Sequence, residues 1–285
     1  MNDYVIYTDS ACDVPAERIQ DWGVKQIDMT VVFDDDSERF QGSTSEFYDQ
    51  MKAGRRPKTS AINPDEFCSH FRKDLEEGKD IVYIAFSSGL STTYNSARIA
   101  TDLLKSEFPK RTILVVDSLC ASIGQGLLVY LAAKKKQSGA TPEELVRYLE
   151  TNRLKVGHWF TVDDLEYLKR GGRISPTVAF VGNTIGIKPI LSVNQEGRLK
   201  NTSKIRGRKA SIEHLVKKYI SDADPSLDPT VVVAHAGCPE DVLLLSDCLK
   251  EMCGVEPAWI SEIGSTIGAH TGPGMLALTF MGKDR

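Results

Sequence analysis

The chain has 285 residues, of which 41% are hydrophobic and 26% are charged, and its formal net charge is −4. This composition is that of a globular protein with room for two domains and a sizeable core, and it gives no reason to expect a nucleic-acid partner. No apolar run approaches the ~18 residues of a membrane span, and the amino-terminal residues lack a signal peptide's basic and apolar regions. We therefore expect a cytoplasmic protein without membrane insertion.

The first part of the chain alternates between strand and helix patterns. Short apolar or β-branched runs at residues 4–7, 24–33, 81–86 and 112–116 predict strands. Between and after them, Ser43, Asn63 and Thr141 each precede a glutamate by three residues, which is the capping-box signature of a helix start. This alternation predicts a parallel sheet covered by helices, a three-layer α/β/α domain over residues 1–155.

Hydroxyl-rich loops follow these predicted strands. The loop after residue 86 contains Ser87, Ser88, Ser91, Thr92 and Thr93. Serine and threonine are ordinary caps and turn formers, but this number exceeds what one helix cap needs. Loops beyond the carboxyl ends of parallel strands gather at one edge of a sheet, where backbone amides favour an anionic group.

A second hydroxyl pair, Thr59 and Ser60, precedes the predicted helix cap at Asn63 by several residues. Helix capping therefore does not account for the pair. We consider Thr59 and Ser60 candidates for the same anion site as the loop after residue 86.

The pattern changes near Lys155. Strands are predicted at residues 157–160, 230–235 and 257–262, and a hairpin at 189–193 and 198–205 flanks the turn Gln195–Gly197. Helices are predicted after Thr161, at residues 210–220 and 239–252, and finally from Gly272. A hairpin combined with helices predicts a two-layer α/β domain with a mixed sheet over residues 156–285.

Three basic residues stand at predicted element ends. Arg173 follows two glycines, Arg206 ends a predicted strand, and His270 lies in a glycine-rich loop before the predicted last helix. Each arginine alone is typical of surface charge. Together with His270 they would supply positive charge at the mouth of an anion site.

Other chemistries have weaker sequence support. The six cysteines form no CxxC pair and have no histidine at metal-ligand spacing, so they predict reduced thiols rather than a zinc or redox site. The nucleotide-binding loops GxGxxG and GxxxxGK[ST] do not occur. The alternative is a hydrolase or acyl transferase with Ser88 as nucleophile, His270 as base and Asp117 as orienting acid, although FSSGL around Ser88 is not a GxSxG elbow.

Several segments taken together resemble one known family. They are YTDSACDVP, the KTS of residues 58–60, SSGLS with TYNS, VVDS, YLKRGGRIS, KIRG and IGAHTGPG. This combination runs from one end of the chain to the other and resembles the DegV family of bacterial fatty-acid-binding proteins. Two departures from the family pattern lie beside the site, Thr92 in place of a glycine and residues 61–64 after KTS.

The resemblance implies two α/β domains with a long-chain fatty acid between them. It implies a protein that is not an enzyme by itself, needs no cofactor or metal, and presents the bound acid to a fatty acid kinase for acyl-phosphate formation. The expected carboxylate-binding residues are Thr59, Ser60 and Ser88. Arg173, Arg206 and His270 are the residues expected in the head-group region and in presentation to the partner.

Overall fold

The structure is a computed structural model that describes residues 3–175 and 186–285. The strands of these residues are β1 (Tyr4–Asp9), β2 (Val24–Ile27), β3 (Thr30–Phe33), β4 (Pro57–Ser60), β5 (Asp80–Ala85), β6 (Ile113–Asp117), β7 (Val156–Thr161), β8 (Ile187–Val193), β9 (Leu199–Arg206), β10 (Val231–His235), β11 (Trp259–Glu262) and β12 (Leu276–Met281). The helices of the same residues are α1 (Ala16–Asp21), α2 (Thr44–Lys52), α3 (Pro64–Glu76), α4 (Thr93–Glu107), α5 (Ile123–Gln137), α6 (Pro142–Asn152), α7 (Glu166–Arg170), α8 (Arg208–Asp222), α9 (Pro239–Cys253) and α10 (Ser265–Thr271). Across the two described ranges, every helix is too short or too polar to cross a membrane.

The N-terminal sheet is parallel. Within the described residues its strand order is β2-β1-β5-β6. Every residue of β1 and β5 is buried, as expected for central parallel strands with helices on both faces. The carboxyl ends of β1, β5 and β6 therefore bring Asp9, Ala85 and Asp117 to one edge of the sheet.

Local sequence signals position several helices of this half. Ser43, Asn63 and Thr141 each accept a hydrogen bond from the amide of the glutamate three residues later, whose carboxylate bonds back to the cap amide. The three predicted capping boxes are thus present.

The C-terminal sheet is mixed and has the order β11-β10-β12-β7-β8-β9 in the described part of the chain. Helices α8 and α9 pack on one face of it, and α5 approaches the other. The predicted fold class, a parallel sheet followed by a mixed sheet in an α/β protein, is confirmed. The division at residue 155 stays a prediction; β7 begins at Val156.

Helix α5 lies between the two sheets, which explains why nearly all of residues 123–133 are buried while its lysines are confined to the last turn. Two glycines in its first turns allow close approach on both sides. A Cβ at Gly124 would lie 1.8 Å from Nε2 of His158 on β7, and one at Gly126 would lie 2.8 Å from the carbonyl oxygen of Cys12. The glycines therefore let the helix fit between the sheets.

Two predicted elements are corrected. The strand predicted over residues 24–33 is interrupted, because Ser10 Oγ accepts the amide of Met29 at 2.9 Å and the chain leaves the parallel sheet there. The final helix predicted from Gly272 is wrong, since residues 276–281 form β12 in the middle of the C-terminal sheet. A six-residue apolar run buried on both faces carries no periodicity that separates a strand from a helix.

The second correction also changes the setting of His270. This residue lies in the last turn of α10 rather than in a loop before a helix, and Gly272 ends that helix. Helix α10 packs against β3 and β4, which pair antiparallel outside the main sheets. His270 is thereby directed towards the KTS segment of β4.

Candidate functional site

A cavity of about 470 Å³ lies between the two sheets. Its wall is largely apolar and comes from the end of β5, the start of α5, the inner face of the C-terminal sheet and α10. Apolar lining residues include Phe86, Leu90, Ile123, Phe160, Val193, Leu199, Ile267, Met275 and Ala277. Such a space can enclose an extended apolar chain.

Thr59 and His270 meet in the wall of the cavity. The antiparallel pairing of β4 with β3 sets Thr59 opposite Val31, and α10 brings His270 onto the same side. Thr59 Oγ1 lies 2.8 Å from His270 Nε2, and both residues line the cavity. Two residues from opposite ends of the chain thus form one polar contact.

The imidazole of His270 is uncharged at neutral pH. Burial, reinforced by the nearby charge of Arg173, lowers its pKa to about 4. Its Nδ1 has no hydrogen-bond partner among the described residues and faces Gly171, where a Cβ would lie 2.2 Å away. Among the described residues, the contact with Thr59 is therefore the only hydrogen bond of the His270 side chain.

Arg173 supplies positive charge beside this pair. Its Nε and Nη2 donate to the carbonyl oxygen of Leu90 at 3.2 and 3.0 Å, and its Nη1 donates to the carbonyl of Gly171. The guanidinium makes no ion pair with any residue of the described ranges, and burial lowers its pKa. Among the described residues this half-buried cation is held only by carbonyl groups, which favours an anion in the cavity.

The two neighbouring serines of the hydroxyl loop have different roles. Ser87 is buried and donates its hydroxyl to the carbonyl oxygen of Gly197 at 2.7 Å, which joins the loop to the β8–β9 turn. Ser88 is exposed, lines the cavity, and donates its amide to Asp117 Oδ1 at 3.1 Å. Ser88 is thus the one of the pair whose hydroxyl is available to a ligand.

The structure does not bring every predicted site residue to the cavity. Thr59, Ser88, Arg173 and His270 line it, whereas Ser60 and Arg206 are exposed and do not. Ser60 follows Thr59 in a strand, so its side chain points to the opposite face.

The alternative catalytic arrangement lacks its contacts in the described residues. No hydrogen bond joins Ser88 to His270, and Asp117 Oδ1 accepts the amides of Ser88 and Leu119 rather than the imidazole. The described residues also contain no group of His, Cys, Asp and Glu side chains able to hold a metal ion.

Sequence reasoning missed the apolar floor of the cavity. Phe160 on β7 faces it from the sheet, as do Met275 and Ala277 beside or on β12. The signal that could have identified the floor is the alternation of large and small residues in LALTFM, but it is informative only once this run is recognised as a strand.

The chain matches known proteins over its whole length. The model of the DegV family, a family described as uncharacterised proteins, matches residues 3–283. The chain belongs to the DegV family. A DegV domain-containing protein of Clostridium perfringens is 39% identical over 290 residues, which cover 100% of this chain and 99% of that protein. The predicted family is thereby confirmed.

Solved structures of DegV proteins have the same fold. A fatty-acid-binding DegV family protein of Thermus thermophilus superposes with a TM-score of 0.85 at 28% identity, covering 99% of this chain and 100% of the other. A stearic-acid-binding protein of Eubacterium ventriosum gives a TM-score of 0.87 at 26% identity, covering 98% of each chain. This DegV chain therefore shares its architecture with proteins that are named for binding fatty acids.

Proposed function

We propose that this DegV protein binds a long-chain fatty acid in the cavity between its two sheets and is not an enzyme by itself. The observation that carries the proposal is the Thr59–His270 pair, 2.8 Å apart, in the wall of an otherwise largely apolar cavity. An amphiphile with one small polar end fits this distribution. Solved relatives named as fatty-acid-binding proteins support the same ligand class.

The Thr59–His270 pair suits a carboxylate. A hydroxyl that donates its proton to a ligand still accepts one hydrogen bond, so Thr59 can donate to the carboxylate while accepting from Nε2–H of His270. This tautomer leaves Nδ1 without a proton, which agrees with the absence of a partner for that atom in the described residues. Ser88 would donate a second hydroxyl, and Arg173 supplies the compensating charge.

The apolar wall suits a long acyl tail. Removing each methylene group from water contributes about 0.8 kcal/mol, so a long tail contributes on the order of ten kcal/mol before the costs of association. Binding of this kind needs neither nucleophile nor base. The missing hydrogen bonds between Ser88, His270 and Asp117 do not weaken it.

We further propose that the bound acid is presented to a fatty acid kinase. Ser88 is exposed at the edge of the cavity, so the carboxylate end would lie close to the protein surface. Arg206 is exposed and available to a protein partner rather than to the ligand. Since such a kinase would use ATP, we also propose a cytoplasmic location for this role.

Ligand identification tests the binding proposal. Native mass spectrometry of purified protein is expected to show a bound fatty acid or uptake of added palmitate or oleate. Thr59→Ala and Ser88→Ala are each expected to weaken palmitate binding by roughly tenfold, because each removes a hydrogen bond to a charged group. The matched controls Thr151→Ala and Ser106→Ala remove exposed helix hydroxyls and should change nothing. A wild-type protein that refuses both acids would overturn the proposal.

A reconstituted reaction tests presentation. Loaded protein, ATP and a fatty acid kinase catalytic subunit from the same organism should yield acyl phosphate, detected as a hydroxamate after trapping with hydroxylamine. Arg206→Ala is expected to slow this reaction while leaving palmitate affinity unchanged, because Arg206 lies away from the cavity. Binding without any acyl phosphate would confine the function to fatty-acid binding.

A further inference from the structure

The carboxylate of Asp117 lies directly behind the loop that carries Ser88. Asp117 is the last residue of β6, and its Oδ1 accepts the amide of Ser88 at 3.1 Å and that of Leu119 at 3.1 Å. Asp117 itself does not line the cavity. The amide of Ser88 is therefore occupied, and the residue can offer a ligand only its hydroxyl.

Two backbone hydrogen bonds also join the loop after β5 to the loop after β6. The amide of Ser118 donates to the carbonyl of Ala85 at 3.2 Å, and the amide of Ser87 donates to the carbonyl of Cys120 at 3.0 Å. Leu119, between these bonds, has a φ of +50°, a conformation that a leucine rarely adopts. Because Asp117 bonds to both Leu119 and Ser88, it fixes the unfavourable turn and the orientation of Ser88 together.

The charge of Asp117 has no cationic partner in residues 3–175 and 186–285. No ion pair of Asp117 is formed there, and its Oδ2 accepts no hydrogen bond from the same residues. Arg153, the nearby cation, donates to the backbone carbonyl of Asp117 at 2.7 Å. A ligand carboxylate on the Ser88 hydroxyl would lie within about 10 Å of Asp117, which is the Debye length at 0.1 M salt.

From these contacts we infer that Asp117 is a positioning residue with two opposing effects on the ligand. Its hydrogen bonds hold the Ser88 hydroxyl in place for any ligand with a polar end. Its unpaired negative charge lowers the affinity for a carboxylate relative to an uncharged analogue of the same length. The inference rests on the proposed fatty-acid binding and adds a residue that sets the affinity without touching the ligand.

Two substitutions separate the two effects. Asp117→Asn keeps an oxygen for the two amides and removes the charge, so palmitate should bind roughly threefold to tenfold more tightly while hexadecanol binds as before. Asp117→Ala releases Ser88 as well, so both ligands should bind more weakly than to Asp117→Asn. Asp21→Asn, which removes an exposed carboxylate on α1, is the matched control and should change neither affinity.

Isothermal titration calorimetry of both ligands with the wild type and these variants tests the inference. Wild type that binds neither ligand overturns the proposed function itself. Wild type that binds palmitate, with no gain in Asp117→Asn, overturns the charge effect. Equal hexadecanol affinities for Asp117→Asn and Asp117→Ala overturn the positioning effect.

A double-mutant cycle gives a readout that a general loss of structure would not produce. If Asp117 acts through Ser88, Asp117→Ala should weaken hexadecanol binding when Ser88 is present. The same substitution should have little further effect in a protein that already carries Ser88→Ala. Additive losses would contradict the inference. The gain of palmitate affinity in Asp117→Asn should also shrink at high salt, because screening weakens the repulsion that the substitution removes.

Discussion

The two faces of the C-terminal sheet are built from the same strands, but one packs against helices and the other lines the cavity. On β12, Leu276 and Phe280 belong to a core shared with α8 and α9, whereas Ala277 and Thr279 line the cavity. Successive strand residues point to opposite faces, so one strand serves both. On this strand the two faces differ in side-chain size, so β12 leaves space for the cavity at Ala277 and Thr279 while Leu276 and Phe280 complete the core on the other face.

The faces also differ in how they are joined to their neighbours. On the packed face the rings of Tyr219 and Phe280 meet edge to face at 5.1 Å. On the cavity side, hydrogen bonds link α10 to the N-terminal half, from the Gly264 amide to Asp13 Oδ1 at 2.9 Å and between Thr59 and His270. We therefore expect stability to depend mainly on the packed face, and binding and pH dependence on the cavity side.

The largest expected effect is on the packed face. Phe280→Ala should lower the free energy of unfolding by about 3–5 kcal/mol, because it removes a side chain that is 1% exposed and leaves a cavity. Urea unfolding followed by circular dichroism measures the change. Ile220→Ala, on the exposed side of α8, is the matched truncation and should cost less than about 1 kcal/mol. Equal losses in the two variants would contradict the assignment of stability to this face.

The buried carboxyl group of Asp13, on the cavity side, is expected to make the stability of the protein depend on pH. It is buried without an ion pair to any residue of the described ranges, and burial, aided by the charge of Asp9, raises its pKa to about 7 despite hydrogen bonds from Ser122 and Gly264. An acid whose pKa is raised by folding holds its proton more tightly in the folded state. Its contribution to stability is therefore fully present below the unfolded pKa of about 4 and is lost as the pH rises to about 7.

The corresponding measurement is urea unfolding at pH 5 and pH 8. We expect Asp13→Asn to gain stability relative to wild type on going from pH 5 to pH 8, by on the order of 2 kcal/mol, because the buried charge forms only in the wild type. Asp21→Asn provides the exposed control. If the stability of Asp13→Asn changed with pH as that of the wild type does, ionisation of Asp13 would not be the cause of the pH dependence.

Local signals predicted the fold better than they predicted the site. The capping boxes at Ser43, Asn63 and Thr141 and the β8–β9 hairpin depend on residues close in sequence, and each is present. The sequence predicts a helix where the final strand lies, because a short, wholly buried run has no polar face to reveal its period. Its partners in the sheet, β7 and β10, are set by tertiary structure.

The candidate site also combines residues that the sequence identifies with contacts that depend on tertiary packing. The hydroxyl loops and the family resemblance identified Thr59 and Ser88, both of which line the cavity. They do not separate Ser60 from Thr59, because the sequence of the KTS segment does not predict the strand in which neighbouring side chains face opposite ways. The contact between Thr59 and His270 joins residues 211 positions apart and follows only from the packing of α10 on β4.

The volume of the cavity face is tested by filling it. Ala277→Leu adds bulk where the wall is small, so palmitate should bind at least about tenfold more weakly and a shorter acid such as decanoate should lose less. Calorimetry with the two acids measures this selectivity, and Ala210→Leu on exposed α8 is the matched control. Unchanged palmitate affinity in a folded Ala277→Leu protein would mean that the chain does not lie against β12.

The smallest effect concerns the polar contact on the same side. Gly171 has an ordinary φ of −71°, so an alanine there strains no backbone, but its Cβ would lie 2.2 Å from Nδ1 of His270. Gly171→Ala should displace the imidazole from Thr59 and weaken palmitate binding by roughly threefold to tenfold, the effect of one hydrogen bond. Lys169→Ala, on the same helix but exposed, is the control. Gly171→Ala is therefore also measured in the Thr59→Ala background. If it lowered palmitate affinity equally in both backgrounds, the imidazole would act on the ligand independently of Thr59. Thr59 and His270 would then be separate contacts rather than one coupled pair.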